Sequence, residues 1–416
     1  PGAPEPAGGD PVPAAPAPKA VRLDRGEGDA AEFPLLADRS PKRWTERAFF
    51  VNALAEVRPA RPYVVRALRL ALADRFPLNR AFALRGLARI ADGGFLRAYG
   101  SRGLFEALRG LVADDEDYVA RTSQDLLLRM AGGGSERSAA EWSAWWEEAG
   151  QALFADSARH PPATAGERSA PADPASDADR RAAARLTSQT RAGFRVFSKL
   201  RSQGLDLCFA IDVTKSMTDE LARMRAQVTE ITSFMQLLLE GKARLGYVTF
   251  GDRVVQQRTL TRKLPAFARS VEEIRIFDDP NDRSVEEAIA LGLEAALTRG
   301  MGWRRKARKV VLLLGDAPPL DPDRCRRLAE LAGKKGVAIN GLIARPPAKY
   351  ATRWPPRPAF EEIARLSGGS VAELERPEDL IARILTLSLG TDREEDLRRF
   401  VHAYREVTGA ADPRGR

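Results

Sequence analysis

The chain has 416 residues, enough for two or three domains that each bury a core of their own. Its 66 Lys and Arg against 57 Asp and Glu give a formal charge of +9, but both signs are spread along the chain, which speaks for compositional bias before nucleic-acid binding. Two cysteines and two histidines exclude a disulfide framework, a four-cysteine zinc site and a histidine-based catalytic centre. No run approaches the roughly 18 consecutive apolar residues of a spanning helix, so no transmembrane segment is expected.

Residues 1–40 are rich in Pro, Ala and Gly and are expected to be disordered. The opening run PGAPEPAGGDPVPAAPAPKA fits either a mature exported chain, its tether exposed after loss of a signal peptide, or the start of a fragment. Secreted or periplasmic placement is expected over cytoplasmic. From 41 to 154 the pattern changes to short helices, with apolar residues recurring at three and four, as in Val64, Leu68 and Leu72 or Phe82, Leu84, Leu87 and Ile90. Such helix pairs resemble HEAT-type repeats, in which each pair buries its apolar face against its neighbours. Trp142, Trp145 and Trp146 fall on one helix face and read as a packing cap on the last repeat.

A second Pro, Ala and Ser rich linker covers 155–178, and a helix from about Asp179 to Leu200 leads into the second domain, which is expected to end at 390 ahead of a C-terminal tail, 391–416. Within it apolar strands alternate with amphipathic helices. The candidate strands are LDLCFAID, ARLGYVTFGD, VVQQRTL, KVVLLLGD, GVAINGLIA and SVAEL, and the helices begin near Thr218, Pro265, Val285, Asp321, Pro358 and Pro377. Continuous apolar runs such as VVLLL are what a parallel sheet covered on both faces requires. The expected fold is therefore α/β, a doubly wound and mostly parallel sheet preceded by an all-α HEAT-like module, with ligands at the carboxyl ends of the strands where the strand order reverses.

Two strands end in aspartate at that edge, Asp212 after FAI and Asp316 after VVLLLG. A carboxylate directly after a buried strand is costly unless something positive compensates it. With the hydroxyls of Thr214 and Ser216 alternating beyond Asp212, the donor set suits a hard divalent cation, Mg2+ or Mn2+. The competing explanation makes Thr214 and Ser216 helix caps and Asp212 a loop former.

The segment DVTKSMTDEL resembles the first metal-binding motif of von Willebrand factor type A domains, Asp-x-Ser-x-Ser, with Thr214 in place of the first Ser. YVTFGD resembles that family's second strand, and WRRKARKVVLLLGDAPP the strand and turn carrying its last metal aspartate, so that the resemblance covers residues 204–390. The family's remaining position usually follows two glycines, which the loop DDPNDRSVEEAIALGLEAAL lacks. Counting back from its apolar helix face puts Ser284 there, with Asp282 as the alternative. The resemblance implies a site of Asp212, Thr214, Ser216, Ser284 and Asp316 that leaves the cation open to an Asp or Glu of a partner protein, and no catalysis.

Enzyme readings find little in the sequence. An aspartyl phosphotransferase of the haloacid dehalogenase type wants a second acid where Thr214 stands, and neither a phosphate loop nor a nucleophile elbow occurs. Ro ribonucleoproteins also join HEAT-like helices to a type A domain and bind RNA, which makes RNA binding the alternative function. A helical module of 41–154 is too short for a ring that admits RNA, and WRRKARK at 303–309 is the sole dense basic cluster. DDPND at 278–282 lacks the glycine and distal glutamate of a calcium loop. RPPAKYATRWPPRP at 345–358 reads as a rigid surface loop, in which Tyr350 and Trp354 could face a partner.

Overall fold

Proline and aspartate punctuate the N-terminal helices. In the computed structural model, which describes residues 32–38, 40–58, 61–90, 93–159, 177–277, 286–344, 355–390 and 394–409, Pro62 and Pro77 each occupy the first turn of a helix, where a missing N–H costs nothing. The helices are α1 (Trp44–Ala55), α2 (Pro62–Ala71), α3 (Pro77–Ile90), α4 (Gly93–Leu111), α5 (Asp117–Ala131), α6 (Ala139–Trp145) and α7 (Gln151–Arg159), the last two joined by a π turn, Trp146–Gly150. Each of the early helices packs on the one two places ahead: α1 on α3, α3 on α5, and α2 on α4. This gives two stacked rows. Gly86 lets them close up, since a Cβ there would stand 2.9 Å from a Leu68 methyl and 3.2 Å from the Ala55 Cβ.

An ion-pair ladder runs between successive turns of this unit. Asp74 accepts from the guanidinium of Arg47 and Asp114 from that of Arg80, and each aspartate also accepts from the backbone N–H two residues on, of Phe76 and Glu116. Arg47 and Arg80 are buried, and buried charges persist only when paired and hydrogen-bonded. The tryptophans cap the unit as expected: Trp142 and Trp146 are buried around Phe105, and the Trp142 indole N–H donates to Gln124.

The chain divides into two compact units at Thr187/Ser188, inside helix α8 (Asp177–Gln203). The second unit holds six strands, β1 (Leu205–Asp212), β2 (Ala243–Phe250), β3 (Val254–Thr261), β4 (Arg308–Gly315), β5 (Val337–Ile343) and β6 (Val371–Glu373), in the order β3-β2-β1-β4-β5-β6. All neighbours are parallel except β2 and β3. Between them lie α9 (Thr218–Leu239), α10 (Leu264–Glu272), α11 (Ile289–Ala296), α12 (Pro322–Lys334) and α13 (Arg357–Ser367), followed by α14 (Leu380–Leu389) and α15 (Glu394–Thr408). β1 is buried along its whole length, as its apolar run requires. One face meets α11, α12 and α13 through Cys208, Ala210, Val311 and Leu313, while Phe209 on the other stacks on Phe267 of α10. The doubly wound, mostly parallel α/β sheet after a helical N-terminal region is as expected.

Three boundaries differ from expectation. Within the segment expected to be disordered, Phe33, Leu35 and Leu36 are buried around a one-turn helix, Pro34–Ala37, because a local apolar cluster overrides the surrounding composition. The stretch expected as a C-terminal tail forms α15, whose Phe400 and Tyr404 lie against Phe234 and whose Arg405 makes a bidentate pair with Glu230 of α9. The helix expected from Val285 begins at Ile289, since Glu287 is held in a bridge with Pro319.

Candidate metal centre

β1 and β4 are neighbours and run the same way, so their carboxyl ends meet at the point where the strand order reverses. Asp212 closes β1 and Asp316 follows β4, at 1% and 2% exposure. Beyond Asp212 the chain turns through a 3-10 segment, Lys215–Met217, before α9 begins. The turn carries the oxygens into line. Asp212 Oδ1 accepts from the Thr214 N–H at 2.8 Å and from the Thr214 hydroxyl at 2.7 Å. The Thr214 and Ser216 hydroxyl oxygens stand 3.3 Å apart, and the Ser216 hydroxyl donates to Asp316 Oδ1 at 3.1 Å.

Of the competing explanation, the loop-forming part is seen, in the Thr214 N–H donated to Asp212 Oδ1, and the capping part is not. Neither hydroxyl satisfies a helix N–H, and α9, with Met217 as its N-cap, has no side-chain cap. Four of the five residues expected at the site, Asp212, Thr214, Ser216 and Asp316, are therefore together. Ser284 and its alternative Asp282 lie outside the described residues, as do Tyr350 and Trp354. On either side of Ser284 the chain is anchored near the site. The Phe277 N–H donates to Val213 O at 2.7 Å, and the Glu287 N–H to Pro318 O at 2.9 Å.

Asp316 shows what the arrangement lacks. Its Oδ2 is buried and accepts no hydrogen bond from the described residues. Burial pushes its carboxyl up to about 6, against the hydrogen bond from Ser216 and with help from the nearby charge of Glu220. Among the described residues no three His, Cys, Asp or Glu side chains gather as metal ligands. The oxygens gathered here, from two carboxylates and two hydroxyls, form a donor set of the kind that suits a hard divalent cation. The free thiols do not contribute, because Cys208 is buried in β1 and Cys325 in α12.

WRRKARK is divided by the fold. Arg304 turns inward with Arg244 onto Asp206, a fully buried carboxylate at the start of β1 that receives four hydrogen bonds from the two arginines. Burial opposes ionisation of Asp206, yet these bonds hold its carboxyl below the usual range. No local pattern marks this triad, in which Arg244 and Arg304 stand 38 and 98 positions from Asp206.

The family model of the von Willebrand factor A domain matches residues 206–376. Among solved structures, the conserved hypothetical protein BatB from Bacteroides thetaiotaomicron is 13% identical with a TM-score of 0.34, over 48% of this chain and 100% of its own. The SpRpn10 VWA domain is 16% identical with a TM-score of 0.34, over 44% of this chain and 95% of its own. Proximal thread matrix protein 1 from the mussel byssus, with a zinc-occupied MIDAS motif, is 17% identical with a TM-score of 0.34, over 51% of each chain. No curated protein matches the sequence. No described helix is long and apolar enough to cross a membrane.

Proposed function

We propose that the unit matching the von Willebrand factor A domain, residues 206–376, is a non-enzymatic protein-interaction module that works through a divalent cation, Mg2+ by preference and Mn2+ in its place. Asp212, Thr214, Ser216 and Asp316 hold the ion, with Ser284 as the fifth residue. The observation that carries this reading is the buried Asp316 Oδ2, which no described donor satisfies at the end of a hydrogen-bonded row of hydroxyls and carboxylates. Two carboxylates balance the charge of a divalent ion but, even with the hydroxyls, leave part of its octahedral shell open. A carboxylate of a partner protein completes the shell, and the bond is charge-assisted. The chain's own part is positional: the short turn after β1 aims three oxygens at the tip of β4.

The helical unit is proposed to add a second protein-binding surface of HEAT-like kind, supported by its two rows of stacked helices. Extracytoplasmic placement belongs to the same proposal. The module is tested with a random peptide library on the full chain. The reading predicts that Asp- or Glu-bearing peptides are retained in Mg2+ and released by EDTA, and that Asn or Gln replacements of the selected acid are not retained. Retention that EDTA leaves unchanged would overturn it.

A further inference from the structure

The amino edge of the sheet, at the far end of the strands from Asp212 and Asp316, collects positive charge that the sequence scatters. β3 runs antiparallel to β2 and ends with Thr261 opposite Leu245, so the exposed Arg262 and Lys263 emerge at this edge. Lys242 precedes β2, and its carbonyl accepts from Leu205 N–H at the start of β1. Exposed Arg305 and Lys306 enter β4, which is tied to β1 by Arg308 N–H donating to Gly204 O at 3.0 Å. The Lys309 ammonium donates to the Lys335 carbonyl at 3.3 Å, where α12 ends in exposed Lys334 and Lys335. Given the strand order, these cations form a row across β3, β2, β1, β4 and β5, roughly 19 Å at about 4.8 Å per strand.

Of the carboxylates near this row, Asp206 is engaged by Arg244 and Arg304, Glu240 by Arg201, and Glu394 and Glu395 at the start of α15 by Arg383 and Arg398, while Glu330 of α12, one turn before Lys334, is exposed. Among the described residues Lys242, Lys263, Lys306, Lys334 and Lys335 make no ion pair. Helix ends explain only some of them. Lys242 and Lys334 follow or close helices whose C-termini favour a cation, but Lys263 is the N-cap of α10, where the helix dipole disfavours one.

We propose that this edge docks on an anionic lipid surface, the row of lysines lying against phosphate headgroups. The cations are mostly lysine, compact point charges without the planar fork of arginine. The row offers no platform for stacked bases: Trp303 is half-buried with its indole N–H donated to Ala296 O, and the exposed large apolar residues among those described are Val254, Leu320 and Leu331. Leu331, 40% exposed, shares a helix face with Lys334 and Lys335 and supplies an apolar contact at headgroup depth. Docked so, the chain points its metal-binding edge away from the bilayer, some 26 Å off across the eight residues of β1, and both surfaces work at once.

The test is flotation of the full chain with vesicles of phosphatidylcholine alone and with a third phosphatidylglycerol, in EDTA so that the metal site plays no part. The expected result is binding to the anionic vesicles alone, released by 0.5 M salt. Each lysine lost at the surface lowers partitioning about fivefold, so Lys242→Gln, Lys306→Gln, Lys334→Gln and Lys335→Gln combined should lower it by more than about a hundredfold. All four side chains are exposed, so the near-ultraviolet spectrum should be unchanged. Equal binding to both vesicle types, equal binding by the fourfold variant, or retention on duplex DNA or RNA but not on anionic vesicles would each overturn the proposal.

Discussion

The Ser216 hydroxyl donates to Asp316 Oδ1 at 3.1 Å, although the two residues stand 100 positions apart in the sequence. The bond joins the tip of β1 to that of β4 and aligns two carboxylates that would otherwise repel. It also leaves Asp316 with one satisfied oxygen and one that is not.

Removing the charge of Asp316 should therefore stabilise the metal-free chain at neutral pH. Its folded-state value of about 6 lies above the ordinary 3.8, so its protonation contributes stability below about pH 4 that is lost as pH rises through 6. Asp316→Asn keeps the acceptor for Ser216 and lacks the charge. In EDTA at pH 7.5 the variant should be more stable by up to about 3 kcal/mol, and near pH 3.5 the difference should vanish. Thermal melts at the two pH values measure this, and a variant no more stable at pH 7.5 counts against it.

Cation affinity should follow the same group. A proton on Asp316 competes with the ion, so binding of Mg2+ should weaken as pH falls through about 6 and level off above 7. Affinities measured between pH 5 and 8 that show no slope would contradict this.

Much of this was legible in the sequence. The strands announced themselves because a parallel sheet buried on both faces needs unbroken apolar runs, as in β1 and β4. Asp212 and Asp316 stood out because acids directly after such runs demand compensation. What escaped were contacts made by topology. Asp206 is as buried as Asp212 and Asp316, yet Arg244 reaches it from β2 and Arg304 from the loop before β4, and no local pattern links the three. Lys242, Lys306 and Lys334 are likewise scattered residues until the strand order sets them side by side. In the helical unit a signal was available: ADRFP and ADDED place Asp74 and Asp114 alike in successive turns.

Asp206→Ala should unfold the second unit far more readily than a surface change. It leaves Arg244 and Arg304 without their shared carboxylate, a loss of about 3–5 kcal/mol for a broken buried pair. Because the Asp206 carboxyl lies below its usual range, its contribution is present above about pH 4 and fades in stronger acid. Urea titrations at pH 7 should resolve the difference, and an unchanged midpoint would refute it.

Asp74→Ala should act likewise on the helical unit. Besides Arg47 it deprives Asn79 Nδ2 and Phe76 N–H of their acceptor, and Arg47 is fully buried. A loss of about 3–5 kcal/mol is expected, with partial recovery in the Asp74→Ala, Arg47→Met double variant. Urea unfolding followed by tryptophan fluorescence reports on this unit through Trp142 and Trp146, and a double variant less stable than the single one would contradict the assignment.

The cation itself is tested most directly by calorimetric titration of Mg2+ into EDTA-stripped chain, alongside Asp212→Ala and Asp316→Ala. The account predicts saturable binding by the unaltered chain and, with the fold intact by circular dichroism, affinity lowered by more than about a hundredfold in both variants. Equal affinity in all three would contradict it.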